Sequence, residues 1–157
     1  MMPARDDVVE VERRIAARPE TVFSFFVDPA RYQRWQGVDA QVDPRPGGIF
    51  RVAATGSSRT IMRGEFVEIV PPERLVFTWG WEQFDGLPDG MRVEPGTSTV
   101  EVTFIRDGDE TIVRIRHGGL PTEAALLFHS GGWNMTLDRI ATVSEGRDPG
   151  PFPFPDI

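Results

Sequence analysis

Alternation of apolar and polar residues along much of the chain predicts β-strands. The run from Val8 to Ile15 places its apolar residues on one face and its charged residues on the other. After a further strand region that begins at Val38, alternating runs cover IFRVAA, RTIMRGEFVEIV, RLVFTWGW, STVEVTFI and TIVRIRH. Gly64 is predicted to form a bulge in the second of these runs, and Asp107-Gly108 a hairpin turn between the last two. About six or seven strands are therefore predicted.

Two short helices are predicted directly after the first strand. In the first, Val22, Phe23 and Phe26 recur at helical spacing behind a proline that suits a first helical turn. Asp28 is predicted to cap the second helix, which ends at Trp35 before a glycine. We expect the Trp35 side chain to be buried.

The longest helical pattern covers residues 120–145, with Pro121 in the first turn and Glu123 near the positive end of the helix dipole. One face carries, in steps of three and four, Leu126, Ser130, Trp133, Leu137, Ile140 and Ser144. A second stripe is predicted to widen this surface into the wall of a cavity and consists of Ala124, Phe128, Gly131 and Met135. Gly131-Gly132 lowers helix propensity by about 1 kcal/mol per glycine, which indicates close packing, a bend or simply a tolerated pair.

The order of these elements indicates an α+β fold. One strand and two short helices precede the remaining strands, and the long helix comes last. An antiparallel sheet with one apolar face covered by the long helix accounts for every alternation, and strong curvature would leave a cavity between sheet and helix. The turn-rich segment from Phe84 to Gly96 is predicted to be an exposed loop or a lid beside the mouth of that cavity.

Composition excludes several classes of function. A net charge of −7 and a pI near 4.8 would repel a phosphate backbone, so we expect no nucleic-acid partner. The absence of cysteine and the presence of only two histidines exclude thiolate chemistry and a three-histidine metal site, and no metal or other cofactor is predicted. No apolar run reaches the roughly 20 residues that cross a bilayer, and the first residues carry no signal core. We therefore expect no membrane insertion and a cytoplasmic location.

The two histidines are the candidates for chemistry. His117 shares the apolar face of its strand, and His129 is predicted to point inward from the long helix beside Ser130 and Trp133. Either histidine can donate a hydrogen bond to a ligand or act as an acid or base. The alternative is that local hydrogen bonds satisfy each of them, as is common for a lone histidine. No catalytic residue is predicted.

Several segments together resemble one family. They are Pro19-Glu20 with Val22 and Phe23, the stretch from Trp35 to Pro46-Gly47-Gly48 with Phe50-Arg51, Gly64-Glu65, PPERLVFTW at Pro71 to Trp79, and Gly132-Trp133 with Leu137. Over nearly its whole length the chain resembles the family named after the activator of the heat-shock-protein-90 ATPase, within the START-like or SRPBCC superfamily of helix-grip folds. The resemblance implies a curved antiparallel sheet that grips the C-terminal helix around an apolar pocket. A single START-like domain is thus expected at residues 6–146, followed by a proline-rich tail at 147–157 that is poorly ordered or docked on the surface.

The resemblance leaves three functional hypotheses, because the superfamily shares a scaffold and not one function. The first is a protein that binds a small apolar or aromatic molecule between the long helix and the aromatic strand face. The second is a cyclase- or aromatase-type enzyme that uses the same cavity with His117, His129 or a carboxylate at the rim. The third is a module that binds a chaperone, although the named co-chaperone carries a further N-terminal domain and we expect weak or no chaperone activation. A second copy of the chain is another candidate partner.

The predicted cavity takes its wall from both the sheet and the long helix. Its residues are Trp35, Phe50, Phe77, Trp79, Trp81, Phe104, Ile115, His117, Phe128, His129, Trp133 and Leu137. Such a pocket is mostly apolar and holds a few polar groups that orient the ligand. His117, His129 and Ser130 are the available polar groups.

Overall fold

The computed structural model of the chain describes residues 8–36, 39–53 and 60–150. This part of the chain contains three α-helices and eight strands. In chain order they are β1 (Val9–Ile15), α1 (Pro19–Val27), α2 (Pro29–Gln36), β2 (Asp39–Val42), β3 (Ile49–Ala53), β4 (Thr60–Val70), β5 (Arg74–Trp79), β6 (Trp81–Phe84), β7 (Ser98–Asp107), β8 (Glu110–Gly118) and α3 (Glu123–Ser144). The first two residues of the predicted domain, 6 and 7, and residues 151–157 of the predicted tail lie outside the described residues.

The eight strands form one antiparallel sheet that curves around α3. The strand order is β1-β8-β7-β5-β4-β3-β2, and β6 pairs with β4 off this path. The predicted α+β helix-grip fold is therefore confirmed, with both short helices after the first strand. The expected number of about six or seven strands is too low, because the run RLVFTWGW forms two strands instead of one.

Gly80 divides that run into β5 and β6. Pairing of β5 with β7 ends at Trp79, and beyond it the backbone N–H of Trp81 donates to the carbonyl of Val93 over 2.7 Å. A Cβ at position 80 would lie 2.2 Å from backbone atoms of Pro95, so only glycine fits at this crossing. The segment before β7 thus becomes the neighbour of β6.

The predicted bulge at Gly64 is wrong. Gly64 is buried, and a Cβ there would lie 2.0 Å from the carbonyl oxygen of Thr78, so the residue permits a close backbone approach. The register of β4 shifts elsewhere, between Phe66 and Glu68 opposite β5 and again near the start of the strand opposite β6. The glycine in this strand reflects packing of the neighbouring backbone.

The long helix begins later than predicted. Thr122 has extended backbone angles, and its side-chain oxygen accepts a hydrogen bond from the N–H of Ala125 over 3.0 Å, so Thr122 is the N-cap. Pro121 consequently precedes the helix and does not lie in its first turn. Glu123 is in the first turn, as predicted, and the last helical residue is Ser144.

The buried face of α3 only partly follows the predicted stripes. Its buried residues are Ala125, His129, Trp133, Thr136, Leu137, Arg139, Ile140, Ala141 and Val143. In the first half of the helix the buried row is Ala125, His129 and Trp133, so Leu126 and Ser130 are only partly buried. The second stripe is wrong, because Gly131 and Met135 are exposed.

The glycine pair of α3 does not serve close packing. A Cβ added at Gly131 or Gly132 would meet no atom within 4 Å, and both residues are exposed. The close-packing interpretation is therefore wrong. The helix continues through both glycines, which agrees with a tolerated pair on its outer side.

The segment between β6 and β7, residues 85–97, is largely exposed as predicted, but it is anchored to the domain at several points, so we call it the anchored segment. It contains a short 3-10 helix, Asp89–Met91, and two buried apolar residues, Leu87 and Val93. The hydroxyl of Thr122 also donates to the carbonyl of Gly90, which connects this segment to the start of α3. Its action as a lid remains a prediction.

The first part of the tail docks on α3. The guanidinium of the buried Arg139 donates to the carbonyl oxygens of Pro149 and Gly150 over 3.1 and 2.6 Å. Charge-assisted hydrogen bonds of this kind hold residues 149 and 150 against the domain.

Candidate functional site

Five aromatic side chains meet on the concave face of the sheet beneath the first half of α3. They are Trp79 of β5, Trp81 of β6, His117 of β8, and His129 and Trp133 of α3, and we call them the tryptophan-histidine cluster. The ring of Trp79 is central, with its centroid 4.9 Å from that of Trp133, 5.5 Å from that of Trp81 and 5.7 Å from that of His117. The two histidine rings lie edge to face at 5.3 Å.

Local periodicity directs these side chains to one place. Trp79 follows Phe77 by two residues in β5, and His117 follows Ile115 by two residues in β8, so each pair shares the inner face of the sheet. His129 and Trp133 are four residues apart and lie on the same face of α3. The cluster therefore joins the centre of the sheet to the helix that covers it.

One hydrogen-bond chain begins at Trp133. Its indole Nε1–H donates to His117 Nδ1 over 3.0 Å. An indole N–H only donates, so His117 Nδ1 accepts and the proton of the neutral ring lies on Nε2. Nε2 then donates to Ser98 Oγ over 2.9 Å, and the Ser98 hydroxyl donates to the carbonyl of Trp79 over 2.8 Å.

A second chain begins at Trp81. Its Nε1–H donates to His129 Nε2 over 3.0 Å. By the same reasoning His129 carries its proton on Nδ1, which donates to the carbonyl of Ala125 over 2.7 Å. The two histidines therefore adopt opposite tautomers, and all four of their ring nitrogens have partners within the protein.

Both histidines are held neutral. Burial, together with the smaller effect of the neighbouring His129, lowers the pKa of His117 to about 3. Burial also lowers the pKa of His129, against the opposing effect of its hydrogen bond to the Ala125 carbonyl. Local hydrogen bonds satisfy both side chains, and none of the four ring nitrogens is free to transfer a proton in this arrangement.

Trp79 differs from the other members of the cluster. The Trp81, His117, His129 and Trp133 side chains are buried, whereas Trp79 is only partly buried although four aromatic rings touch it. Its Nε1 atom is nevertheless inaccessible and has no hydrogen-bond partner. A buried donor without an acceptor costs about 1 to 3 kcal/mol, so such groups call for an explanation.

Thr60 supplies a second buried polar atom without a partner. Its Oγ1 makes no hydrogen bond, and the residue is 2% exposed. Thr60 lies on β4 opposite Phe84 of β6, and the Phe84 ring packs against Trp81 at 4.8 Å. This hydroxyl therefore lies near the outer end of the cluster.

Phe84 and Phe128 extend the aromatic surface toward the anchored segment. Their rings are 5.8 Å apart, and Phe128 also contacts His129 at 5.2 Å. Phe128 is partly buried and borders the cluster from α3. Phe84 and Ser98 were not predicted as site residues. The alternation of β7, continued from Val100 back to Ser98, predicts that Ser98 faces inward. Phe84 follows Trp81 by three residues, so simple alternation would place it on the opposite face.

The remaining predicted site residues belong to the packed core. Phe50 contacts Phe77 at 4.9 Å, and both are 1% exposed. Phe104 packs under α1, where it contacts Phe23 and Phe26 and does not join the cluster. Ile115 and Leu137 are fully enclosed on β8 and α3. Trp35 lies in α2, but its side chain is outside the described part of the structure.

Two further observations concern cofactors and membranes. Within residues 8–36, 39–53 and 60–150, no group of three or more histidine or acidic side chains is arranged to hold a metal ion. Of the helices in this same part of the chain, none combines the length and apolar character needed to cross a bilayer.

Comparison with known structures gives relatives that cover nearly the whole chain. An AHSA1-like protein from Rhizobium etli is 39% identical, with a TM-score of 0.68 over 100% of this chain and 94% of that chain. An HSP90 activator from Plasmodium falciparum is 27% identical, with a TM-score of 0.68 over 87% of this chain and 94% of that chain. A protein from Mesorhizobium loti is 20% identical and shares the fold, with a TM-score of 0.74 over 90% of this chain and 98% of that chain.

Comparison with protein families gives the same result. A search of the curated proteins found no match. The family model described as activator of Hsp90 ATPase homolog 1-like protein matches residues 16–145, which include every element from α1 to α3. The chain belongs to the family of activator of Hsp90 ATPase homolog 1-like proteins.

Proposed function

We propose that this protein binds a small apolar or aromatic molecule between the curved sheet and α3, against the tryptophan-histidine cluster. The single observation that supports this proposal is the environment of Trp79. Its ring lies among Phe77, Trp81, His117 and Trp133, yet Trp79 is more exposed than each of these neighbours. In a solid core the central ring of such a cluster would be the most buried one.

The surroundings of Trp79 suit a guest of this class. Aromatic rings from β5, β6 and α3 present faces and edges to one region, and aromatic pairs gain about 0.5 to 1.5 kcal/mol beyond burial of their area. Pockets for small molecules are mostly apolar with a few polar groups, and the cluster has that composition. Three apolar residues around the cluster are only partly buried: Leu126 and Phe128 of α3, and Met91 of the anchored segment.

Binding of diphenylmethane, a neutral two-ring hydrocarbon, tests the proposal. Equilibrium dialysis should give saturable binding to the wild-type protein, and the melting temperature should rise with ligand concentration. Trp79→Ala should lower the affinity at least tenfold, whereas Glu12→Ala on the outer face of β1 should leave it unchanged. Circular dichroism verifies that both variants are folded. If a broad library of neutral aromatic compounds neither binds nor stabilises the wild-type protein, the proposal is wrong.

A second candidate function is interaction with an Hsp90-type chaperone. One observation favours it: the alignment with the HSP90 activator from Plasmodium falciparum covers 94% of that chain, so the matched activator structure is also about the size of one domain. A match that extends over one domain is therefore a weaker argument against this function than the sequence suggested. Steady-state ATPase measurements with the chaperone of the same organism test it. A several-fold stimulation at micromolar protein would support this candidate, and an unchanged rate would eliminate activation.

A further inference from the structure

The polar groups of the tryptophan-histidine cluster are almost all used within the protein. Trp81 and Trp133 donate their indole protons to the two histidines, whose other nitrogens donate to Ser98 and to the backbone at Ala125. In the described residues the Nε1–H of Trp79 is the one polar group of these five rings without a partner. A ligand among these rings therefore meets one unsatisfied polar group of the protein, the Nε1–H of Trp79.

The unused group selects for an acceptor. An indole nitrogen carries a proton and offers no lone pair, so it binds a carbonyl, ether or hydroxyl oxygen and cannot receive a proton from a ligand amine. A pure hydrocarbon leaves the donor unsatisfied in an environment that excludes water. A ligand oxygen in line with Nε1–H removes this cost.

The cluster also selects for a neutral molecule. His117 and His129 are uncharged, because burial disfavours their protonated forms. The charged side chains near the cluster are already engaged: the guanidinium of Arg92 pairs with Glu94 and donates to the Trp81 carbonyl, and Arg139 of α3 donates to the carbonyls of Pro149 and Gly150. A carboxylate or ammonium group beside the cluster would thus be desolvated without a counter-charge.

From these observations we infer that the ligand is a neutral aromatic molecule with an acceptor oxygen, of the aromatic ketone class, and that Trp79 Nε1–H donates to this oxygen. The inference rests on the proposed function and adds the chemical class of the ligand to it. Trp79 is thereby the residue that sets specificity, while the other four rings of the cluster supply apolar contact and hold one another in place.

Thr60 is the competing candidate for this role. Its hydroxyl is also buried and unpartnered, but it both donates and accepts and so imposes no preference for a ligand acceptor over a ligand donor. It also lies opposite Phe84, on the far side of Trp81 from the centre of the cluster. Variants at the two positions distinguish the two candidates.

Benzophenone and diphenylmethane form a matched pair of probes, because they differ only in a carbonyl group in place of a methylene group. Dissociation constants for both are measured by equilibrium dialysis with the full-length wild type, with Trp79→Phe and with Thr60→Val. Trp79→Phe keeps an aromatic ring and removes only the donor-bearing part, and Thr60→Val keeps the shape of the side chain. One neutral hydrogen bond in a buried site corresponds to a preference of roughly fivefold to tenfold.

The wild type is expected to prefer benzophenone by that factor, Trp79→Phe to bind both probes equally, and Thr60→Val to keep the preference. If Trp79→Phe keeps the preference while both probes bind, the inference is wrong and the proposed function stands. Loss of the preference in Thr60→Val alone identifies the Thr60 hydroxyl as the donor to the ligand oxygen and also overturns the inference. If neither probe nor any other neutral aromatic compound binds the wild type, the proposed function fails together with the inference.

Discussion

The indole N–H of Trp133 donates to Nδ1 of His117 over 3.0 Å and so joins the middle of α3 to β8. Both side chains are buried, at 6% and 0% exposure. Because the bond lies where water is excluded, the histidine nitrogen has no alternative donor once the indole is removed. The contact is therefore both a packing contact and a polar one.

Replacement of Trp133 by alanine should lower the free energy of unfolding by about 3 to 5 kcal/mol, through the cavity and the loss of apolar contact. Trp133→Phe retains most of the ring and should cost about 1 to 3 kcal/mol, because His117 Nδ1 loses its donor. Urea denaturation measures both values. The matched control is Leu127→Ala, since Leu127 is 69% exposed on the same helix and its removal should change little. Equal midpoints for Trp133→Ala and wild type would contradict the assigned orientation of α3.

Stability should fall as the pH decreases below about 6.5. The pKa of His117 is lowered to about 3 in the folded protein, and that of His129 is lowered as well, so the unfolded chain binds more protons in this window. The stabilisation is complete above the unfolded pKa and is lost as the pH falls toward the folded pKa. Each histidine adds up to about 1.4 kcal/mol per pH unit to the slope within the window.

Urea midpoints between pH 7.5 and 5.5 test this slope before most carboxylates titrate. His117→Gln removes one titrating group and should flatten the pH dependence, whatever its effect on stability at neutral pH. The same slope in wild type and in this variant would show that His117 does not contribute. The outer-face variant Glu12→Gln serves as the control for general charge effects.

Alanine in place of Gly131 should stabilise the protein by up to about 1 kcal/mol, because the position is exposed, helical and surrounded by open space. Gly64→Ala should act in the opposite direction, since its Cβ would lie 2.0 Å from the Thr78 carbonyl oxygen. Melting temperatures of the two variants, measured by thermal denaturation, compare the same substitution in an open and in a crowded environment. A loss of stability in Gly131→Ala would mean that the glycine pair has a packing or functional role.

Thr122→Ala should destabilise α3 by about 1 kcal/mol through loss of the N-cap. It should also accelerate amide hydrogen exchange in residues 87–93, because the Thr122 hydroxyl donates to the carbonyl of Gly90. Thr122→Ser keeps the hydroxyl and should behave like the wild type in both measurements. If amide hydrogen exchange in residues 87–93 is unchanged in Thr122→Ala, the Thr122 hydroxyl does not stabilise the anchored segment.

Local periodicity explains what the sequence predicts correctly. Alternation in β8 places His117 on the inner face, and helical spacing places Trp133 inward. Each prediction needs only a few neighbouring residues. The family resemblance adds the order in which the elements pack, which no single alternation contains.

The errors lie where two local signals compete or where distant segments meet. Pro121 and Thr122 both suit a helix start, and the cap is decided by the hydrogen bond to Ala125. The partners of His117 lie 16 and 19 residues away on other elements, so its tautomer follows only from the assembled fold. Gly64 gives the same local signal whether it forms a bulge or admits a neighbouring carbonyl.

Two directional bonds fix α3 against rotation about its own axis. His129 accepts a hydrogen bond from Trp81 of β6, and Trp133 donates one to His117 of β8, so consecutive turns of the helix are attached to two different strands of the sheet. A rotation by one residue, about 100°, would break both bonds and leave four buried polar atoms unpaired. The rotational setting of α3 is therefore fixed. Any widening of the space beneath it would require displacement of strands or of the anchored segment, without rotation of the helix.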